Sequence, residues 1–259
     1  GKCEQVPPLG DLPCLESLVM ESLHNVKRIG AEFYGLEDIN TRSSACSSSS
    51  SSREAKPITL FPKLSRFVLE NMGSLEEWSD AMVPSDSSSS SIKVFPNLRY
   101  LRIEGLPKLA VLPDMENLTS LKELQIRRCG SLACIRNLNS LTSLESLYLD
   151  DCPALESLCL ESLTSLAELR ILQCGSLACI RNLNSLTSLK SLYLGDCPAL
   201  ESLCLESLTS LARLGIRRCG SLACIRNLNS LTSLESLDLD DCPALLDASL
   251  DMLNPQSLR

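Results

Sequence analysis

Leu121-Lys122-Glu123-Leu124-Gln125-Ile126-Arg127-Arg128-Cys129 decides the architecture, because its frame returns at a fixed interval. The pattern Leu-x-x-Leu-x-Leu/Ile-x-x-Cys starts again at Leu144, Leu166, Leu189, Leu211 and Leu234, in steps of 22 or 23 residues. Within it, Leu124 and Ile126 alternate with Glu123, Gln125 and Arg127, which is the period of a strand with one apolar and one polar face. Between frames, Leu132, Ile135, Leu138, Leu141 and Leu144 recur every third residue, with Asn and Ser among them. That spacing suits tight turns or short 3₁₀ pieces, and Asn and Ser bond back to local backbone, so irregular return arms are expected in place of long helices. Cys-Gly-Ser-Leu-Ala-Cys-Ile-Arg-Asn-Leu-Asn-Ser-Leu-Thr-Ser-Leu is repeated letter for letter at 129–144, 174–189 and 219–234, so each 45-residue period holds two units.

Working outward, the frame continues toward the N-terminus in degraded form at Leu98 (with Leu101, Ile103, Leu106), Leu64 (with Phe67, Leu69, Met72) and Leu15 (with Leu18, Met20, Leu23), giving nine units. Their length and pattern resemble the leucine-rich repeat, in which the short apolar segment is a strand and the remainder carries the chain back to begin the next. A single unit cannot bury enough apolar surface to fold, so stability has to come from stacking. The expected fold is an α/β solenoid: a leucine-rich-repeat horseshoe with one curved parallel sheet of about nine strands and irregular or 3₁₀ convex arms. Residues 1–259 read as one such domain, a piece of a longer chain, with near-identical 45-residue double repeats over 121–257. Ser-rich loop insertions are expected at 40–57 and 79–94, where the unit spacing stretches to 49 and 34 residues.

Composition narrows the function. With 24 basic and 32 acidic residues and a net charge of −8, the chain is a poor candidate for binding a nucleic-acid backbone. No uninterrupted apolar run approaches the ~18 residues of a membrane helix, so no membrane span is expected. Of its 14 cysteines, ten stand at Cys-x₄-Cys and Cys-x₆-Cys spacings, unlike the short paired clips of structural zinc sites, and His24 is the one histidine. Cys129, Cys152, Cys174, Cys197, Cys219 and Cys242 each end a strand frame, which reads as a buried structural ladder of free thiols in a reducing cytoplasm. No Gly-rich loop leads into a helix, no nucleophile stands with a base and an acid, and Asp150-Asp151 and Asp240-Asp241 are strand neighbours expected on opposite faces. The expectation is therefore a protein with no cofactor, no metal and no catalytic residue.

The informative residues lie on the polar side of the strands. The column after each inner Leu/Ile reads Arg127-Arg128, Asp150-Asp151, Leu172-Gln173, Gly195-Asp196, Arg217-Arg218, Asp240-Asp241. In-register strands would set Arg127 opposite Asp150 and Arg217 opposite Asp240, two neutralising pairs. Together with Tyr100, Arg102, Glu104, Gln125, Tyr148, Arg170, Tyr193 and Asp238, these residues form a banded concave surface, and the prominence of Tyr and Arg points to protein binding. The candidate contact set is therefore Tyr100, Arg102, Glu104, Gln125, Arg127, Tyr148, Asp150, Arg170, Leu172, Tyr193, Arg217, Asp238 and Asp240.

The first 113 residues carry more specific motifs. Val6-Pro7-Pro8-Leu9-Gly10-Asp11-Leu12-Pro13 is followed by Val26-Lys27-Arg28-Ile29-Gly30 and Glu32-Phe33-Tyr34-Gly35. Phe61-Pro62-Lys63-Leu64 then leads to Met72-Gly73-Ser74-Leu75-Glu76-Glu77-Trp78, and Phe95-Pro96-Asn97-Leu98 to Leu106-Pro107-Lys108-Leu109 and Leu112-Pro113. In this order they resemble the leucine-rich-repeat region of plant intracellular disease-resistance receptors of the coiled-coil, nucleotide-binding class. The resemblance implies a cytoplasmic sensor module that recognises a pathogen effector or a host protein altered by one, and that folds back on the nucleotide-binding part of the same receptor to keep it inactive. The nucleotide-binding and coiled-coil parts lie outside this sequence, so neither ATP binding nor signalling is assigned to it. A repeat adaptor for a ubiquitin ligase or an enzyme inhibitor is the alternative, and a secreted receptor ectodomain is disfavoured by the missing Leu-x-Gly-x-Ile-Pro turns and paired-Cys caps.

Overall fold

The computed structural model describes residues 3–36, 58–81 and 92–245. Nine strands of five residues form a parallel sheet: β1 (Ser17–Glu21), β2 (Arg66–Glu70), β3 (Tyr100–Glu104), β4 (Glu123–Arg127), β5 (Ser146–Asp150), β6 (Glu168–Leu172), β7 (Ser191–Gly195), β8 (Arg213–Arg217) and β9 (Ser236–Asp240). Spatial order equals chain order, so each coil lays one strand beside the last, as a leucine-rich-repeat-like solenoid requires. Register follows the repeat without slippage: Leu101, Leu124 and Leu147 stand abreast, as do Ile103, Ile126 and Leu149.

The alternation of apolar and polar residues sets the two faces. Leu124, Ile126, Leu147, Leu149, Leu169 and Ile171 are buried, whereas Glu123, Gln125, Arg127, Tyr148 and Asp150 on the opposite, open face are only half-buried. The return arms are irregular as expected. Among the described residues the one α-helix is the four-residue turn Ala31–Tyr34, and 3₁₀ turns stand at Leu138–Ser140, Leu183–Ser185 and Leu228–Ser230. Each 3₁₀ turn follows an asparagine in the left-handed region (Asn137, Asn182, Asn227), a conformation Asn tolerates well. Short parallel ladders tie successive arms together, among them Ser157–Cys159 with Cys179–Arg181 and Ser202–Cys204 with Cys224–Arg226.

Six of the nine aromatic residues pack into one knot in the N-terminal coils, where the repeat is degenerate and leucines are fewer. Phe33 lies 5.0 Å from Phe61, Phe61 4.7 Å from Phe95, and Phe67 5.8 Å from Trp78, ring centre to ring centre. Trp78 Nε1 donates to Tyr34 Oη at 3.1 Å and Tyr34 donates onward to the Ser79 carbonyl at 3.0 Å, so the polar atoms of the knot are satisfied. The other three aromatics, Tyr100, Tyr148 and Tyr193, stand on the open face.

The insertion expected at 40–57 lies outside the described residues, as do residues 82–91 of the one expected at 79–94 and residues 246–257 of the double-repeat region. The described ends of the second insertion correct its limits. Ser79 donates its backbone N–H to Ile29 O at 2.9 Å, Asp80 accepts from the Asp114 N–H at 2.5 Å, and Ile92–Val94 pairs in parallel with Ile58–Leu60. These ends belong to the stacked coils because their backbone groups and the Asp80 carboxylate are spent on neighbouring coils.

Candidate protein-binding face

The cysteine rungs are where the sequence puts them, immediately behind the strands. Cys129, Cys152, Cys174, Cys197 and Cys219 are buried free thiols, and Cys242, in the last described coil, is partly open. Each donates to the carbonyl two residues back, for example Cys174 Sγ to Leu172 O at 3.4 Å and Cys197 Sγ to Gly195 O at 3.4 Å. Burial pushes the Cys174 thiol up to about 12, so this rung stays protonated and chemically quiet. Among the described residues no group of three or more His, Cys, Asp or Glu side chains is placed to hold a metal ion.

One structural device behind the strands has no clear sequence signal. The residue after every strand adopts a left-handed backbone: Ser22, Asn71, Gly105, Arg128, Asp151, Gln173, Asp196, Arg218 and Asp241, with φ between 50° and 68°. The twist turns its N–H onto the carbonyl that ends the next strand, as in Arg128 N to Asp150 O at 2.9 Å and Gln173 N to Gly195 O at 2.9 Å. It also corrects the expectation for Asp150-Asp151 and Asp240-Asp241. The second aspartate of each pair is not on the buried face but exposed, because the chain leaves strand geometry there.

Neither expected neutralising pair forms: Arg217 takes another partner and Arg127 takes none among the described residues. The register does set Arg127 abreast of Asp150 and Arg217 abreast of Asp240. Arg217 nevertheless pairs with Asp238, its Nε lying 2.9 Å from Oδ2, and Arg218 pairs with Asp196 at 2.7 Å. Arg127 makes no ion pair among the described residues, and its Nε is shut off from solvent without an acceptor. Register fixes Cα positions, and long side chains reach diagonally to whichever carboxylate their rotamers favour. Asp150 and Asp240 consequently stand on the open face without an ion pair among the described residues.

Glu104 is also corrected. It is 6% exposed, so it anchors neighbouring side chains and offers little surface to a partner. Arg102 Nε donates to its Oε2 at 2.7 Å, Arg128 grips its Oε1, and Arg102 also reaches Glu70 at 3.8 Å. Burial alone would push the Glu104 carboxyl up, but the two guanidinium groups outweigh it and hold the carboxyl below its ordinary range.

The remaining predicted residues line the open face in register. Tyr100 lies under the Arg66 guanidinium at 4.2 Å, and Gln125 bonds Glu123 at 2.5 Å. Tyr148 Oη donates to Glu168 Oε2 at 2.8 Å, and burial together with that bond holds its phenol above the ordinary value. Arg170 and Arg217 flank the Tyr193 ring at 5.3 and 5.9 Å from its centre. Leu172 lies half-buried beside them. Residues outside the candidate contact set and now seen on or beside this face are Arg66, Glu123, Arg128 and Glu168, with Gly195 and Gly215 beneath their neighbours.

The signal that marks this face is internal to the sequence. Residues 121–155, 166–200 and 211–245 align without gaps over 35 positions, of which 27 are identical in all three blocks. The eight that differ are, in the first block, Lys122, Glu123, Gln125, Arg127, Arg128, Glu145, Tyr148 and Asp150. Five are open-face residues of β4 and β5, whose sixth such position, Ser146, does not change, and the other three are the residues immediately before or after those strands. Exposure alone does not explain this, because Ser131, Ala133, Cys134, Arg136, Asn137, Asn139 and Thr142 on the return arm are just as exposed and do not change. No protein-family model matches the chain, and no curated protein matches it in sequence.

Proposed function

We propose that the chain is a protein-recognition module whose open sheet face grips another polypeptide, and that it serves as the sensor region of an intracellular plant immune receptor. The observation that carries the binding reading is the confinement of differences among three otherwise identical blocks to the open face and the residues flanking its strands. Duplicated coils that changed there and nowhere else kept a scaffold and altered a surface. Tyr, Arg and Asp side chains on a rigid parallel sheet supply aromatic area, bidentate donors and charge selectivity without a large ordering cost. The receptor reading rests on the resemblance of the Val6 to Leu112 motifs, and recovery of the complete open reading frame tests it. A nucleotide-binding segment encoded ahead of Gly1 supports a receptor, whereas a ubiquitin-ligase docking segment there supports an adaptor.

The binding reading is tested by exchange between blocks. Arg170→Gln, Leu172→Arg and Gly195→Asp together give the middle block the open strand face of the first, using residues the scaffold already carries in its other coils. Selection of displayed protein fragments on the immobilised full chain should yield a different set after this exchange and the same set after Arg136→Glu on the return arm. An unchanged set after the exchange, with native circular dichroism, would sink the reading.

A further inference from the structure

The middle block breaks the charge pattern of its neighbours. At the last open-face position of successive strands, the first block carries Arg127 and Asp150 and the third Arg217 and Asp240, whereas the middle block carries Leu172 and Gly195. A side chain at Gly195 would begin 2.8 Å from Leu172 Cδ2, so Leu172 lies flat across the place an aspartate fills in the other blocks. The same happens one strand on, where a Cβ at Gly215 would come within 2.5 Å of the Tyr193 ring. The two glycines let a leucine and a tyrosine recline toward β8 and form an apolar shelf between two charged bands. Arg170 stands at its edge as the one cation among the open-face strand positions of β5, β6 and β7. Its guanidinium carbon lies 5.3 Å from the centre of the Tyr193 ring, and the side chain is exposed, with no carboxylate in ion-pair range among the described residues. Glu168, the nearest acid on its own strand, is already held by Tyr148.

We infer that the partner presents a carboxylate side chain to Arg170 and, one residue away along an extended segment, an apolar side chain to the Leu172–Tyr193 shelf. This deepens the proposed protein-binding role and depends on it. Arg170 and Leu172 share one face of β6 and lie about 7 Å apart along it, the spacing of alternate residues in an extended partner segment. A planar guanidinium is matched by a carboxylate that takes two parallel N–H bonds. The reverse order is disfavoured, because a carboxylate over Leu172 would lie beside Asp150 on β5, a like charge. Tyr and Arg side chains are enriched in binding hot spots.

The test selects phage-displayed random peptides on the full chain and measures the synthesised consensus by fluorescence anisotropy. An acid-x-apolar consensus is expected, at least about tenfold weaker on Arg170→Glu. Reselection on Arg170→Glu should replace the acid by Lys or Arg and keep the apolar residue. Gly195→Asp, which restores the residue of the neighbouring blocks, should weaken the same peptide by lifting Leu172, while Arg136→Glu leaves it unchanged. A consensus without an acid, equal affinity for Arg170→Glu, or no enrichment above the Arg170→Glu chain overturns the inference. Peptides lost with Tyr148→Ala but indifferent to Arg170→Glu would overturn it and leave the binding face standing. Peptides sensitive only to Arg136→Glu would overturn both.

Discussion

Glu104 is the one charged residue buried among the described residues, and its surroundings decide what it contributes. A buried carboxylate is costly unless its oxygens are met by donors. Here Arg102 and Arg128 meet one oxygen each, from β3 itself and from the turn after β4, so the residue fastens two coils together. The sign of its pH dependence follows. A carboxyl held lower in the folded chain than its unfolded value of about 4.3 adds stability above that pH and loses it as pH falls through the depressed value. Glu104→Gln should therefore cost about 1–3 kcal/mol at neutral pH, by stranding two guanidinium groups, and should flatten the acid limb of the stability curve. Urea unfolding from pH 7 down to 3 checks both, and a variant that loses stability in parallel with the parent at every pH would refute the role.

At the scale of the element, each of the last six coils is a strand, a cysteine rung and a return arm, and these differ in how openly the sequence declares them. The strands and their faces are legible because period-2 burial demands Leu and Ile at alternate sites, and nine copies leave little room for slippage. The rungs are legible because a small apolar residue recurs at one offset. The left-handed residue after each strand is not, since Arg128, Gln173 and Arg218 occupy it as well as the Gly, Asn and Asp that suit it. The backbone bond to the next coil overrides local preference there. The ion pairs of the face are equally hidden, because Asp238 outcompetes the register partner Asp240 for Arg217 through rotamer choice. Access follows from the same coil geometry. Cys129, Cys152, Cys174, Cys197 and Cys219 should resist iodoacetamide in the native chain while Cys134, Cys159 and Cys204, exposed on the return arms, are alkylated, and all should react in denaturant without reductant. Mass spectrometry of the labelled peptides reads this directly; a rung thiol modified as fast as Cys159 would mean that the coil opens or that the ladder is misplaced.

Across the whole molecule, every strand of the sheet touches only the strand before and the strand after it. Stability is then a chain of neighbour terms, and no strand pairing among the described residues couples the two ends. The ends also differ in substance: an aromatic knot holds the first coils, and stacked leucines hold the rest. Trp78, the single tryptophan, is 5% exposed within that knot and so reports on the N-terminal coils alone. Leu214 on β8 is 1% exposed at the far end of the stack, and Leu214→Ala should cost about 2–5 kcal/mol locally. With only neighbour coupling, that defect should lower the urea midpoint of part of the far-UV circular dichroism signal and leave the Trp78 fluorescence transition nearly where it was. If both probes instead shift together by the same amount, the coils unfold as one unit, and the boundary between aromatic and leucine packing carries far more coupling energy than contacts between adjacent coils provide.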